Sequence, residues 1–158
     1  MDPLVKKVLW YGGAYLLVAG AAVGYIALTG TLSKRPLDEE MVAHGSALYA
    51  QHCARCHGAN LEGQTGWQTR RADGTIPAPP QDHSGHTWQH SDRQLFDTIK
   101  LGGALFARHG ERSEMPAYRE HMGDADIWAV IAFVKSRWPQ EIREQQMRAN
   151  LLGSFEHH

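Results

Sequence analysis

Five consecutive residues, Cys53-Ala54-Arg55-Cys56-His57, set two thiols three positions apart and place an imidazole directly after the second. At the end of a helix, two thiols so spaced add to the two vinyl groups on one porphyrin edge, and the following residue swings under the ring to offer a nitrogen to the iron. C-x-x-C-H is the attachment signature of c-type haem. The chain has only two cysteines, so thioether formation consumes both thiols and no disulfide framework remains. A thioredoxin-like redox pair also uses C-x-x-C, but beside a strand-helix-strand pattern that is absent here. A zinc site would need two more ligands at suitable spacing, and no second cysteine pair supplies them.

Iron held by His57 on one face takes a Met or a His on the other. Met115, 58 residues after His57, is the best-placed candidate: a glycine-bearing loop precedes it and Pro116 follows. Met122 is its nearest competitor, and His109 and His121 are the histidine alternatives. Met41 precedes the motif on a helix face and Met147 lies near the C-terminus, so both read as packing or surface residues. A second histidine group, His83, His86 and His90, surrounds Trp88. It suggests a further metal site or a shell for the haem propionates. The plainer reading is a polar loop in which Trp88 packs on the porphyrin or donates its indole N–H to a propionate.

The elements that must position these residues follow from periodicity and capping. Asp38 caps a helix running to about His52, with Glu39 and Glu40 suited to its positive end and Met41, Gly45, Leu48 and Tyr49 recurring on one face. It leads directly into Cys53. From His57 to about His90 the chain is rich in Gly, Pro and polar residues, with few aliphatics and no sustained period. So long a loop inside a compact domain needs a ligand to organise it. Ser91 or Asp92 starts a short helix bearing Leu95, Phe96 and Ile99, which Gly102 and Gly103 stop. Asp124 caps a final amphipathic helix carrying Ile127, Val130, Ile131 and Val134, and Pro139 marks its end. No strand and no internal repeat is evident. Residues 139–158 form a charged tail with helical promise, including a Glu144–Arg148 pair one turn apart.

At the other end, Val8 to Thr29 holds no charge in 22 residues, and as a helix it would span ~33 Å, enough to cross a bilayer once. Trp10, Tyr11 and Tyr25 lie near its ends, as headgroup-seeking side chains do. A cleavable signal peptide is the rival, since Lys6 and Lys7 begin it and Ala19-Gly20-Ala21 resembles a cleavage site. The apolar run continues well past that site, which favours an uncleaved anchor over residues 1–29. Gly20 and Gly24 form a small-xxx-small pair that would let another helix approach, although glycine is common in membrane helices anyway. A polar linker, residues 30–37, follows.

The 158 residues suit one domain plus such a segment, and 16 basic against 17 acidic side chains give no reason to propose nucleic acid as a partner. Beyond Arg35 there are 12 basic and 16 acidic side chains, so the remainder is mildly acidic.

Over residues 38–138, the helix leading into CARCH, the long loop, the Met115-Pro116 pair and the DIWAVIAFVKSRW helix resemble class I cytochromes c. The resemblance implies an all-α fold around one covalent haem c, here preceded by a single transmembrane helix. It implies that the first and last helices cross near Gly45 and Tyr49 against the Ile127 to Val134 face. It also implies that a backbone carbonyl of a proline-bearing loop, with Pro77, Pro79 and Pro80 in range, receives the His57 ring N–H. A haem with two strong protein ligands leaves no substrate site, so the expected task is one-electron transfer rather than enzymatic turnover, at a potential raised by His/Met ligation. Cys53 and Cys56 attach, and His57 and Met115 ligate. Haem attachment on the oxidising side places the domain in a bacterial periplasm, tethered to the inner membrane. The expected partners are the bilayer and membrane redox complexes: a quinol-oxidising complex, a terminal oxidase or a photosynthetic reaction centre. The alternatives are a fixed haem subunit of one multisubunit oxidoreductase, or a ligand sensor in which Met115 is displaced.

Overall fold

The computed structural model describes residues 20–21, 38–107 and 112–153. Contacts divide the chain into two units, Met1–Pro36 and Leu37–His158. Among the described residues no helix is long and apolar enough to cross a membrane. The stretch read above as an anchor lies outside them, except for the helical residues Gly20 and Ala21, and the linker lies outside them too.

The second unit is mostly helical. Helix α1 (Glu39–His52) begins where Asp38 Oδ1 accepts from the backbone N–H of Glu40 at 3.0 Å and of Met41 at 3.3 Å, satisfying donors that a helix start leaves free. The single turn α2 (Ala54–His57) follows at once and stops at Gly58, whose φ of +82° costs a glycine little. Helix α3 (Asp92–Leu101) starts with a capping box in which Ser91 and Gln94 exchange side-chain and backbone bonds, and Gly102 ends it. Helix α4 (Asp124–Ser136) is capped one residue earlier than the periodicity suggests. Gly123 is its cap, and the Asp126 carboxylate reaches back to accept from the Gly123 N–H at 3.1 Å. Short 3-10 turns cover Thr87–Gln89 and Gly103–Phe106.

Helices α1 and α4 pack at Gly45, where a Cβ would overlap the Ala129 carbonyl. That near-contact of backbones lets α4 bury residues on two flanks. Val130 and Val134 join Tyr49, Leu61 and Trp138 in one cluster, and Ile127 and Ile131 join Phe96, Tyr118 and Met122 in the other. At the open end of the crossing, His44 Nε2 lies 2.8 Å from Asp126 Oδ1.

Two features differ from the sequence reading. Thr75–Ile76 (β1) and Arg112–Ser113 (β2) pair in parallel, Thr75 with Arg112 and Ile76 with Ser113. Two-residue strands carry no periodicity, so nothing in the local pattern announces them. The charged tail forms helix α5 (Gln140–Gly153) and folds back onto the domain. Its Gln146 is 1% exposed, and the Asp92 carboxylate gathers Lys135 at 2.6 Å, Gln146 Nε2 at 2.7 Å and Asn150 Nδ2 at 3.0 Å. Within α5, Glu144 takes Gln140 Nε2 at 2.9 Å rather than Arg148.

Gly45→Ala is expected to force the two helices apart, at a cost of about 1–3 kcal/mol typical of overpacking. Thermal unfolding followed by circular dichroism checks it, and an unchanged midpoint would show that the crossing tolerates a methyl group.

Candidate functional site

The continuation of α1 into α2 arranges the motif. Cys53 N–H bonds to Tyr49 O at 2.8 Å, and the N–H groups of Cys56 and His57 both turn back to Cys53 O, at 3.0 and 2.9 Å. Cys53, Cys56 and His57 therefore stand at i, i+3 and i+4 on one face of a helical turn. Two buried tyrosines pin this turn: Tyr49 Oη donates to Gly58 O and Tyr118 Oη to His52 O, both at 2.9 Å.

No disulfide joins the two cysteines; Cys53 is half-buried and Cys56 exposed. Burial, reinforced by the neighbouring Cys56, pushes the Cys53 thiol up to about 11. An attacking thiol of a redox pair has the opposite shift, so Cys53 is not such a thiol.

His57 Nδ1 lies 2.9 Å from Pro79 O, which selects Pro79 among the three prolines. Burial lowers the pKa of the ring, and the bond to Pro79 only partly offsets it. The imidazole is thus held neutral, the form that ligates iron, and among the described residues its Nε2 makes no hydrogen bond. The carbonyl's own position is secured from several sides. Gln64 N–H bonds to Ala78 O at 2.8 Å and Gln64 Oε1 accepts from Ala78 N at 3.0 Å. Gln81 N–H reaches Leu61 O at 2.8 Å, and the Trp138 indole donates to Gln81 O at 2.7 Å. Leu61 adopts φ +69°, a conformation costly for a branched side chain, and its near-complete burial and acceptor role hold it there.

Met115 lies on a separate loop and is half-buried. Its carbonyl accepts from Gly103 N at 3.1 Å and its N–H reaches Ser113 Oγ at 3.2 Å. The β1–β2 pairing, extended by Arg112 N–H to Gly74 O at 2.9 Å, ties this loop to the one carrying Pro79. Met122, by contrast, is 5% exposed and committed to the cluster of Phe96, Tyr118, Ile127 and Ile131. His121 is exposed, and His109 lies outside the described residues.

The histidine group does not converge. His86 stacks on Trp67 at 5.5 Å and meets His90 edge-on at 5.5 Å, while His83 is exposed. Among the described residues no three His, Cys, Asp or Glu side chains are placed to hold a metal ion. Trp88 donates its indole N–H to Gly85 O at 3.0 Å, so that group is engaged within its own loop and not held out for a propionate. Gln81, Thr87 and Trp138 are the contributors that sequence reasoning missed. Each acts through a contact between distant segments.

Two thiols and an imidazole on one helical turn, with the ring's Nδ1 held by a backbone carbonyl, match the C-x-x-C-H attachment motif of haem c. The fold and this site together define an electron-transfer haem domain. The family profile described as Cytochrome c matches residues 42–138, and the chain belongs to the cytochrome c family. Its members bind haem c covalently and carry electrons. The chain is 27% identical over 104 residues to the Cbb3-type cytochrome c oxidase subunit CcoP of Azospirillum sp. (strain B510), covering 66% of this chain and 31% of that protein. The subunit of the same name from Azospirillum brasilense matches with the same identity and coverage. The chain thus spans about a third of the length of these curated relatives. The crystal structure of cytochrome cL from the marine methylotrophic bacterium Methylophaga aminisulfidivorans MPT aligns at a TM-score of 0.46 and 24% identity, over 78% of this chain and 74% of that one.

In haem-free chain first shown by circular dichroism to keep its helical fold, alkylation near neutral pH is expected to label exposed Cys56 well before Cys53, since little of the buried thiol ionises there. Peptide mass spectrometry over a time course reads the order, and equal rates would contradict the burial of Cys53.

Proposed function

We propose that the domain carries one haem c, attached through Cys53 and Cys56 and ligated by His57 Nε2 and Met115 Sδ, and serves as a one-electron carrier. The observation that carries this is the His57 ring itself: Nδ1 tied to Pro79 O at 2.9 Å, Nε2 without a hydrogen bond among the described residues, and burial keeping the ring neutral. When bound, the haem supplies the Fe(III)/Fe(II) couple, taking one electron from a donor and passing it to an acceptor. The chain's residues do the rest. His57 gives a ligand of fixed tautomer, because an Nδ1–H aimed at Pro79 O commits Nε2 to the metal. Met115 gives a neutral thioether, which favours the ferrous state and raises the potential. Its loop is held independently of the core methionine Met122. His57 and Met115 together would leave the iron no open position for a substrate, which supports a carrier rather than an enzyme.

The anchored, periplasmic reading rests on the uncharged run from Val8 to Thr29 and on the chemistry of haem attachment. The relatives that bear the name of an oxidase subunit support a partner among membrane redox complexes. They also favour the second reading, a fixed subunit of one complex. The linker over residues 30–37 agrees, since eight residues reach only ~25 Å when extended.

Replacing Met115 by Ala is expected to abolish the weak long-wavelength sulfur-to-iron band of the ferric protein, lower the midpoint potential and admit carbon monoxide to the ferrous protein. Met122→Ala is expected to cost about 2–5 kcal/mol of stability, as buried Met truncations do, with the band retained. Visible spectra of both variants decide the ligand, and a band lost only in the Met122 variant would reverse the assignment.

The full chain is further expected to stay with the membrane through high-salt and carbonate washing with its N-terminus intact. A mature chain beginning near Ala22 would mean a cleaved signal peptide instead.

A further inference from the structure

The Gln81 side chain meets the axial imidazole at the same nitrogen as Pro79. Its Nε2 is 3.0 Å from His57 Nδ1, and its Oε1 is 3.0 Å from Thr87 Oγ1, which in turn lies 3.3 Å from Pro80 O. With the amide in that sense, Nδ1 would have to accept from Gln81. It would then present a lone pair to the Pro79 oxygen and carry its proton on Nε2, the nitrogen the iron needs. A half-turn of the amide exchanges Oε1 and Nε2 in place and removes the conflict. Nδ1–H then donates to Pro79 O and Gln81 Oε1 together, Gln81 Nε2–H donates to Thr87 Oγ1, and the Thr87 hydroxyl donates to Pro80 O. Each contact in the row then joins a donor to an acceptor.

The backbone of Gln81 cannot drift from this position. Its N–H is held by Leu61 O and its carbonyl by the Trp138 indole, and Thr87, 8% exposed, is fixed beside it.

Building on the haem reading above, we propose that Gln81 is a positioning residue that sets the redox potential: its amide oxygen, oriented by Thr87, shares the His57 Nδ1–H with Pro79 O. A second acceptor on that proton makes the imidazole a stronger donor, which favours Fe(III) and holds the potential below what the His/Met pair alone would give. The sharing also narrows the ring plane further, since two acceptors define the direction of the N–H more tightly than one.

The test is the midpoint potential of the full-chain holoprotein in three variants, each first shown by its visible spectrum to keep covalent haem and the sulfur-to-iron band. Gln81→Leu removes the acceptor and is expected to raise the potential by at least a threefold shift of the Fe(II)/Fe(III) equilibrium, ~30 mV at 59 mV per tenfold for one electron. Gln81→Glu keeps an oxygen at the same reach and is expected to stay at or below the wild-type value. Thr87→Val frees the amide and is expected to raise the potential by less than Gln81→Leu, and it carries the test if the leucine variant does not accumulate. A residue that merely packed the loop would admit water when replaced, lowering the potential in all three. A potential unchanged or lowered in Gln81→Leu, or in Thr87→Val where that variant stands in, overturns the proposal and leaves the haem reading intact. Haem lost from the wild-type protein on denaturation removes the haem reading itself.

Discussion

One short contact organises the domain: the Nδ1 of His57 against the carbonyl of Pro79. A histidine ligates iron usefully only if its ring is neutral, its proton sits on the nitrogen facing away from the metal, and its plane is fixed. Burial meets the first condition and the Pro79 carbonyl the other two. A carbonyl on a loop with few aliphatic residues cannot hold such a position unaided, and the surrounding structure exists largely to hold it. Leu61 accepts a strained backbone so that its carbonyl can anchor Gln81, and Trp138, at the end of the last core helix, reaches back to the same residue.

The helix crossing serves the same end from the other side. Because Gly45 lets α1 and α4 meet backbone to backbone, Tyr49 and Trp138 come into one cluster. One ends at the haem motif and the other at the proline loop. The parallel pairing of Thr75–Ile76 with Arg112–Ser113 adds a second tie, between the loop beneath His57 and the loop that carries Met115. Under the proposed ligation, one of these loops orients His57 and the other carries Met115, and ties between them limit reorganisation on electron transfer. Helix α5 adds stiffness elsewhere. Asp92, at the start of α3, collects Lys135 from α4 and Gln146 and Asn150 from α5, and so clamps three helices with one carboxylate whose charge is well paired.

Much of this was legible from the residues because it is local. CARCH is a contiguous motif, Asp38 and Ser91 are caps read from their neighbours, and Gly45 and Tyr49 share a face with a period the sequence displays. Met115 stood out from Met122 by its proline and glycine surroundings, and Met122 packs in the core cluster. What was not legible is non-local. Nothing adjacent to Pro79 distinguishes it from Pro77 or Pro80. Thr75 and Arg112 are 37 positions apart and too short a pairing to imprint a pattern. The Asp124 cap was misplaced by one residue because the acidic side chain that bonds the helix start is Asp126, reaching back from inside it. The tail read as a charged stretch with helical promise but with no docking site, because its docking depends on Gln146 and Asn150, polar residues whose partners lie more than fifty positions away.

The account stands on the proposal of a single covalent haem, held between His57 and Met115, that exchanges one electron with an external donor and acceptor. A redox titration of the purified full chain, followed in the visible spectrum, tests this most directly. It should show one reversible wave of one electron per chain, with the sulfur-to-iron band present in the oxidised state and gone in the reduced state. A chain that shows no such wave, or whose haem takes up carbon monoxide rapidly without any replacement at Met115, would contradict it.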